Sequence, residues 1–401
     1  MQTNKEYIEF TDKFSAHNYH PLPVVLTRGQ GIWVWDIEGK KYLDMLSGYS
    51  ALNQGHCHPK IAAALKKQAD VLTLTSRAFH NDQMGLFLEK ICTTTGYEKA
   101  LPMNSGAEAV ETAIKVARKW GYTQKKVREN VAEIIVCENN FHGRTTTIVG
   151  FSSEKQYRNG FGPFTPGFKM IPYNDTSALE NAINANTVGF LIEPIQGEGG
   201  VIVPEEGYLK KCAEICKQHH VLLIDDEIQT GLGRTGRLFA CEYDGVRPDI
   251  LIMGKALSGG FYPVSAIACD DRIMDVIKPG DHGSTFGGNP LASAIGTAAL
   301  DVILREKLAD NAFQLGNWFM DELKALKSPV IKEVRGKGLL IGVVLTVKAR
   351  TYCERLMRLG ILAKETHDMV VRFAPPLIIT KIDLQWALPK IDEVLKAPPT
   401  V

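Results

Sequence analysis

Residues 221–231 read VLLIDDEIQTG, and residues 249–260 read DILIMGKALSGG. Each stretch opens with a short apolar run of strand length and closes on residues that can do chemistry. A continuous apolar run, without alternation, is what a strand buried on both faces of a parallel sheet requires. The first run ends in Asp225, Asp226 and Glu227; the second ends by delivering Lys255. In open parallel sheets ligands bind at the carboxyl edge of the strands, so an acid and a lysine are expected at one edge. A lysine set among apolar and small residues is partly desolvated, which makes its amine easier to deprotonate and more nucleophilic. Taken singly, these features have plainer readings: solvated acids at a strand end, and a surface lysine at a strand–loop junction.

Outward from this pair the same pattern repeats. Residues 132–137 (AEIIVC) and 188–192 (VGFLI) read as further buried strands. Residues 108–120 and 208–219 carry apolar positions at helical spacing, with Leu209, Cys212, Ile215 and Cys216 on one face of the second. Alternation of strands and helices implies an α/β fold with a mainly parallel sheet covered on both sides. The composition changes near Pro290. Residues 291–326 read as a linking helix or helix pair, and strand patterns follow at 331–334, 339–345 and 370–373. A smaller α+β domain is expected there. Residues 31–42 (GIWVWDIEGKKY) suggest a hairpin. The expected division is an N-terminal segment at 1–45 packing with the small domain, a large domain at 46–288, and a C-terminal domain at 289–401.

Bulk properties remove several classes. The chain has 401 residues, 45% apolar and 23% charged, with 46 basic against 45 acidic side chains and a formal charge of +1. That balance argues against nucleic-acid binding, which leaves a basic excess or patch. The most apolar stretch, 292–304, is interrupted by Ser293, Gly296, Thr297 and Asp301, and falls short of the roughly 20 residues a membrane span needs. Eight cysteines lack the density of a disulfide scaffold, and the first residues lack an export pattern. A cytoplasmic protein is expected.

An acid and a lysine at one sheet edge match the needs of pyridoxal 5'-phosphate. That cofactor takes a lysine on its aldehyde and a carboxylate on its pyridine nitrogen. Its phosphate needs donors, and residues 103–109 (MNSGAEA) can form a small-residue turn into a helix N-terminus, where backbone N–H groups and the helix dipole favour an anion.

With these residues in place, the chain resembles the fold-type I pyridoxal-phosphate enzymes, and among them the class III (ω-) aminotransferases. The resemblance extends over nearly the whole chain to members that act on the δ-amine of ornithine. It is carried by HNYHPLP (17–23), YSALNQGHCHP (49–59), LTSRAF (74–79), EPIQGE (193–198), HGSTFGGNP (282–290) and RFAPPL (372–377). It implies a large domain with a mainly parallel seven-stranded sheet between helices, and a homodimer or higher assembly with a shared site. It further implies Lys255 as the lysine that bonds the cofactor and shuttles protons, and Asp226 on the pyridine nitrogen. Phe141 and Ile228 are expected against the ring faces, Gln229 near the phenolate, and His142 and Glu193 within the cofactor's surroundings. Ser105, Gly106 and Ala107 are expected on the phosphate, joined by Ser284 or Thr285 from a partner subunit.

For substrates, the resemblance implies ornithine and then 2-oxoglutarate. Arg144 is expected to take the α-carboxylate as a bidentate pair, with Tyr19 and Tyr49 at the α-amino end. Arg372 is expected to receive the second substrate's carboxylate and to be covered by Glu198 while ornithine is bound. Gly199 and Asp225 depart from the family pattern, where alanine is common at each. Asp225 should point to the other face of its strand.

Other readings of the chain are an acetylornithine or other ω-amine aminotransferase, a non-catalytic protein that kept the fold, and a metal-dependent hydrolase. GLGRTG (231–236) has the glycine spacing of a dinucleotide site, but residues 226–230 separate it from the strand. Cys212, Cys216, His219 and His220 have spacings a metal could use, yet the cysteines share the apolar face with Leu209, which favours packing. No metal site is expected.

Overall fold

The computed structural model describes residues 2–397; Met1 and residues 398–401, the outer ends of the expected N-terminal segment and C-terminal domain, lie outside the described residues. In chain order, β1 (Leu26–Gln30), β2 (Trp33–Asp36) and β3 (Lys41–Asp44) form an antiparallel meander, with the expected hairpin at β2 and β3. The large sheet takes β4 (Lys99–Met103), β5 (Glu133–Cys137), β6 (Phe168–Ile171), β7 (Thr187–Ile192), β8 (Leu222–Asp226), β9 (Ile250–Met253) and β10 (Ser265–Cys269). The remaining strands are β11 (Ile331–Lys337), β12 (Leu340–Leu345), β13 (Ile361–Leu362), β14 (Lys364–Thr366) and β15 (Val370–Phe373).

The seven strands of the large sheet run in the order β4-β10-β9-β8-β7-β5-β6. All neighbours are parallel except β10, which is antiparallel to both β4 and β9. Alternate residues of each strand enter different cores. Leu222, Ile224, Ile250 and Ile252 pack with Val110, Ala113 and Ala117 of the helix Gly106–Trp120. Leu223, Leu251 and Met253 join the core that holds Leu209, Cys212 and Cys216 of the helix Tyr208–Gln218. Cys212 and Cys216 are therefore packing residues, as expected. Continuing the alternation along β8, Asp226 falls on the Ile224 face and Asp225 on the Leu223 face.

The helix starting at Gly106 begins two residues earlier than its apolar pattern suggests. Ser105 caps it, accepting a bond from the Glu108 N–H at 3.2 Å, while the Glu108 carboxylate accepts from the Ser105 N–H at 2.9 Å. The expected linking segment is a helix pair, Pro290–Arg305 and Leu308–Ala325, broken at Lys307 with φ 51°. The C-terminal strands form the sheet β11-β12-β15-β14, while β13 crosses to pair in parallel with β3. The N-terminal meander and the C-terminal part thus share one sheet.

Candidate active site

Two neighbouring strands set the reacting edge. Register pairs Asp226, the last residue of β8, with Ile252 of β9; the chain then runs through Met253 and Gly254 to Lys255. Asp226 and Lys255 both line a cavity of about 200 Å³ together with Gly106, Phe141, Ile228 and Gln229. His142 and Glu193 line it too. The structure therefore brings the two residues singled out from sequence to one pocket, on the same side of the sheet as the helix Gly106–Trp120.

Each group is held. Asp226 is 4% exposed; its Oδ2 lies 2.6 Å from Nδ1 of His142, and its Oδ1 accepts the Ile228 N–H at 3.1 Å. Burial opposes a charge on His142, but the bond to Asp226 outweighs it and raises the imidazole pKa. Nε2 of the same ring is buried without a partner among the described residues. Glu193 accepts the Phe141 N–H at 2.9 Å, which fixes the backbone beneath that ring; burial pushes its carboxyl up to about 7.

Lys255 makes no ion pair or hydrogen bond through its amine among the described residues. Burial lowers its pKa despite the nearby Glu198, as expected for an amine kept nucleophilic. Its φ of 44° is an uncommon left-handed value, and Tyr49 shares it at 60°. Such strain concentrates at functional sites.

Asp225 takes the opposite face, as its alternation requires. It lies with Glu227 and Cys241 in a buried group whose ligand-type atoms are within 4.8 Å of one another. Glu227 is occupied by the Cys241 N–H at 2.8 Å and by the Thr230 hydroxyl.

A second cavity, of about 430 Å³, shares Phe141 with the first and is walled also by Tyr19, Tyr49, Tyr157 and Glu198. Nη1 of Arg372, on β15, donates to Glu198 Oε1 at 2.6 Å, and Gln229 donates to the same oxygen at 3.0 Å. Gln229 also accepts from Arg372 Nη1 at 3.3 Å. Burial would raise the Glu198 carboxyl, but Arg372 and Lys255 hold it down to about 2. Arg372 is 1% exposed, and its Nε and Nη2 are buried without partners among the described residues. Its guanidinium sits 5.0 Å from the Tyr49 ring. Tyr19 is exposed, and the backbone next to it is clamped by Arg350, which donates to the His20 carbonyl at 2.9 Å and the Pro21 carbonyl at 2.6 Å. Arg144 is exposed and stacks on Tyr157, 3.8 Å from the ring centroid.

The expected phosphate turn leaves donors free. The N–H groups of Gly106 and Ala107 have no partner among the described residues, and the Ser105 hydroxyl, which accepts the Glu108 N–H in the cap, keeps its own proton to donate. A Cβ on Gly106 would meet Ile228 Cδ1 at 2.9 Å, so only glycine leaves that approach open. In the same chain, Ser284 Oγ accepts from Asn104 at 2.8 Å, and Thr285 is exposed.

A mainly parallel sheet presenting a buried acid, an unpaired lysine and a free helix N-terminus to one cavity defines a cofactor-dependent transferase of the pyridoxal-phosphate type. Comparison with known proteins agrees. The family model for aminotransferase class-III matches residues 14–395. The chain is 60% identical over 395 residues to the ornithine aminotransferase of Brevibacillus brevis, covering 98% of this chain and 99% of that protein. Its structure matches a Toxoplasma gondii ornithine aminotransferase with partial occupancy of PLP at the active site (TM-score 0.97, 48% identity, 98% and 94% of the two chains). It also matches an acetylornithine aminotransferase from Elizabethkingia anophelis (TM-score 0.91, 52% identity, 98% and 99%). The chain belongs to the class III aminotransferase family.

Pyridoxal 5'-phosphate is its cofactor, and the residues present fit it. Unpartnered N–H groups suit the phosphate, Asp226 suits a protonated ring nitrogen, and the unpaired Lys255 suits the aldehyde. The dinucleotide-like GLGRTG run has a different role. Arg234 within it is fully buried, donating to the Leu339 and Pro375 carbonyls at 3.0 and 2.6 Å and to Asn53 at 2.6 Å, so it joins distant parts of the chain.

Sequence reasoning missed two features. Tyr157 comes from the four-residue helix Lys155–Arg158, which carries no periodic signal. Gly197 is needed because a Cβ there would lie 1.8 Å from Gln229 Oε1; the glycine stands in the EPIQGE stretch, but nothing local reveals its neighbour.

Proposed function

We propose that this chain is an ornithine δ-aminotransferase. It moves the δ-amino group of L-ornithine to 2-oxoglutarate, giving L-glutamate and glutamate 5-semialdehyde, which cyclises to pyrroline-5-carboxylate. The observation that carries this reading is the pair Glu198–Arg372 at 2.6 Å, with two guanidinium nitrogens buried and unpartnered among the described residues. One site must accept first a diamino acid and then a diacid. Glu198 neutralises Arg372 while the diamino acid is bound; once it swings aside, the spare donors receive a carboxylate of 2-oxoglutarate.

The remaining roles follow the geometry. When bound, pyridoxal phosphate supplies an aldehyde and an electron-withdrawing ring that stabilises negative charge on the carbon losing a proton. Lys255 holds the aldehyde and moves the proton, Asp226 keeps the ring nitrogen protonated, and His142 orients Asp226. Phe141 and Ile228 take the ring faces, Gly106 and Ala107 the phosphate, with Ser105 bordering it. Glu193 sets Phe141. Gln229 is poised between the phenolate and Glu198. Arg144 takes the α-carboxylate of ornithine and the distal carboxylate of 2-oxoglutarate; Tyr19 and Tyr49 contact the α-amino end.

The working unit in this reading is a homodimer in the cytoplasm, with Ser284 or Thr285 completing a partner's phosphate site. Exposed Val71, Phe79, Leu86 and Phe286 support an apolar interface around that loop, which Asn81 ties down through the Gly288 carbonyl at 3.2 Å. All eight cysteines are free, which suits a reducing compartment. We retain the division into segment 1–45, large domain 46–288 and small domain 289–401.

The similarity to the E. anophelis acetylornithine enzyme supports a second reading, and one titration separates the two. Holoenzyme is mixed with ornithine, N-acetylornithine or 4-aminobutyrate, and loss of the visible cofactor absorbance is followed. Ornithine is expected to react fastest; faster reaction with N-acetylornithine overturns the assignment.

A further inference from the structure

We propose that Tyr157 is a positioning residue for substrate carboxylates: its ring, in the wall of the larger cavity, is the platform that holds the Arg144 guanidinium. The inference rests on the carboxylate-binding role proposed for Arg144 and adds the residue that makes the role possible. An exposed arginine on a flexible stem is a poor recogniser, because ordering it costs side-chain entropy. Arg144 has no ion pair and no hydrogen bond among the described residues, so no polar partner orders it.

Two rings do. The guanidinium carbon lies 3.8 Å from the Tyr157 centroid and 5.7 Å from that of Phe141. The rings themselves meet edge to face, with centroids 6.0 Å apart and planes at 80°. A guanidinium stacked flat on an aromatic face keeps its in-plane N–H donors free for a bidentate carboxylate. Stacking therefore orders the group without consuming the donors that recognition needs.

The platform is itself fixed to the cofactor side of the site. The Asn139 N–H donates to Ser153 Oγ at 2.7 Å, and buried Asn140 donates to the Phe151 carbonyl at 3.0 Å. Glu154 caps the short helix through the Gln156 N–H at 3.1 Å, and Arg158 closes it onto the Ser152 carbonyl at 3.1 Å. Segments 139–141 and 151–158 are thus bonded to each other, which links the platform under Arg144 to Phe141.

The test is a double-mutant cycle on the holoenzyme with Tyr157→Ala, Arg144→Ala, the double variant, and Tyr157→Phe. Tyr157→Ala is expected to raise KM for ornithine and for 2-oxoglutarate about tenfold, with kcat within about twofold, the size a cation–π contact supports. Tyr157→Phe keeps the ring and is expected to recover KM. The double variant is expected to match Arg144→Ala, since a group acting through Arg144 has nothing left to act on. Unchanged KM in Tyr157→Ala, or strictly additive effects in the double variant, overturns the inference while leaving Arg144's role standing. Unchanged KM in Arg144→Ala overturns both. Loss of the visible cofactor absorbance in Tyr157→Ala shows a role in cofactor binding instead, and also overturns it.

Discussion

Glu198 Oε1 lies 2.6 Å from Arg372 Nη1, and the guanidinium is buried with two of its three nitrogens lacking an acceptor among the described residues. Removing one member of a buried pair leaves an uncompensated charge, at a cost of about 3–5 kcal/mol. Glu198→Ala is therefore expected to lower unfolding stability by that order. It should also lower KM for 2-oxoglutarate, because the incoming carboxylate no longer competes with a resident one. Steady-state kinetics and denaturant unfolding check this; unchanged values in both would remove the pair from the substrate switch.

The same pair sets an acid limb. The Glu198 carboxyl is held at about 2, with Arg372 and Lys255 overcoming burial. A depressed carboxylate pKa adds stability that is complete above its unfolded value near 4.5 and lost as pH falls toward 2. The shift corresponds to about 3 kcal/mol. The stability difference between the native chain and Glu198→Gln should therefore shrink between pH 5 and 3, as measured by urea unfolding.

Asp225 carries the opposite sign. It is fully buried, and both carboxylate oxygens lack hydrogen-bond partners among the described residues. Burial drives its pKa well up, and Glu227 beside it up to about 7. A raised carboxyl pKa makes the native state lose stability as pH rises from about 4 through the folded value. Asp225→Ala should stabilise the protein by about 1–3 kcal/mol at pH 8 and by less at pH 5. Thermal unfolding at the two pH values reads the difference.

Lys255→Ala should abolish the visible cofactor absorbance and reduce turnover at least about 10³-fold. The fold should survive, since the lysine amine makes no hydrogen bond or ion pair among the described residues. Retained absorbance would assign the aldehyde to another amine.

Tyr49→Ile should shift choice toward simpler ω-amines. The ratio of kcat/KM for ornithine over 4-aminobutyrate is expected to fall about tenfold or more, as loss of a polar contact to a charged amine allows. An unaltered ratio removes Tyr49 from the α-amino subsite.

The reacting edge was legible because buried parallel strands leave an unbroken apolar signature. The run ending at Asp226 and the run ending at Lys255 are both strands whose alternate residues enter two cores. Even the sidedness of Asp225 followed from a period of two. Contacts that depend on loop closure left no such trace. Nothing near Tyr157 announces the guanidinium above it, and nothing near Gly197 announces Gln229. The helix start at Ser105 was visible as a small-residue turn, but the reciprocal bonding of Ser105 and Glu108 that shapes it was not.

Arg350 belongs to the helix Arg350–Arg358, yet it grips the carbonyls of His20 and Pro21, and β3 pairs with β13. Tyr19 is therefore mechanically a part of the molecule's far end. Anyone grafting the entrance of one aminotransferase onto another should transplant both extremities together. A hybrid that exchanges the leading thirty or so residues alone would inherit a tyrosine whose anchor speaks for a different parent.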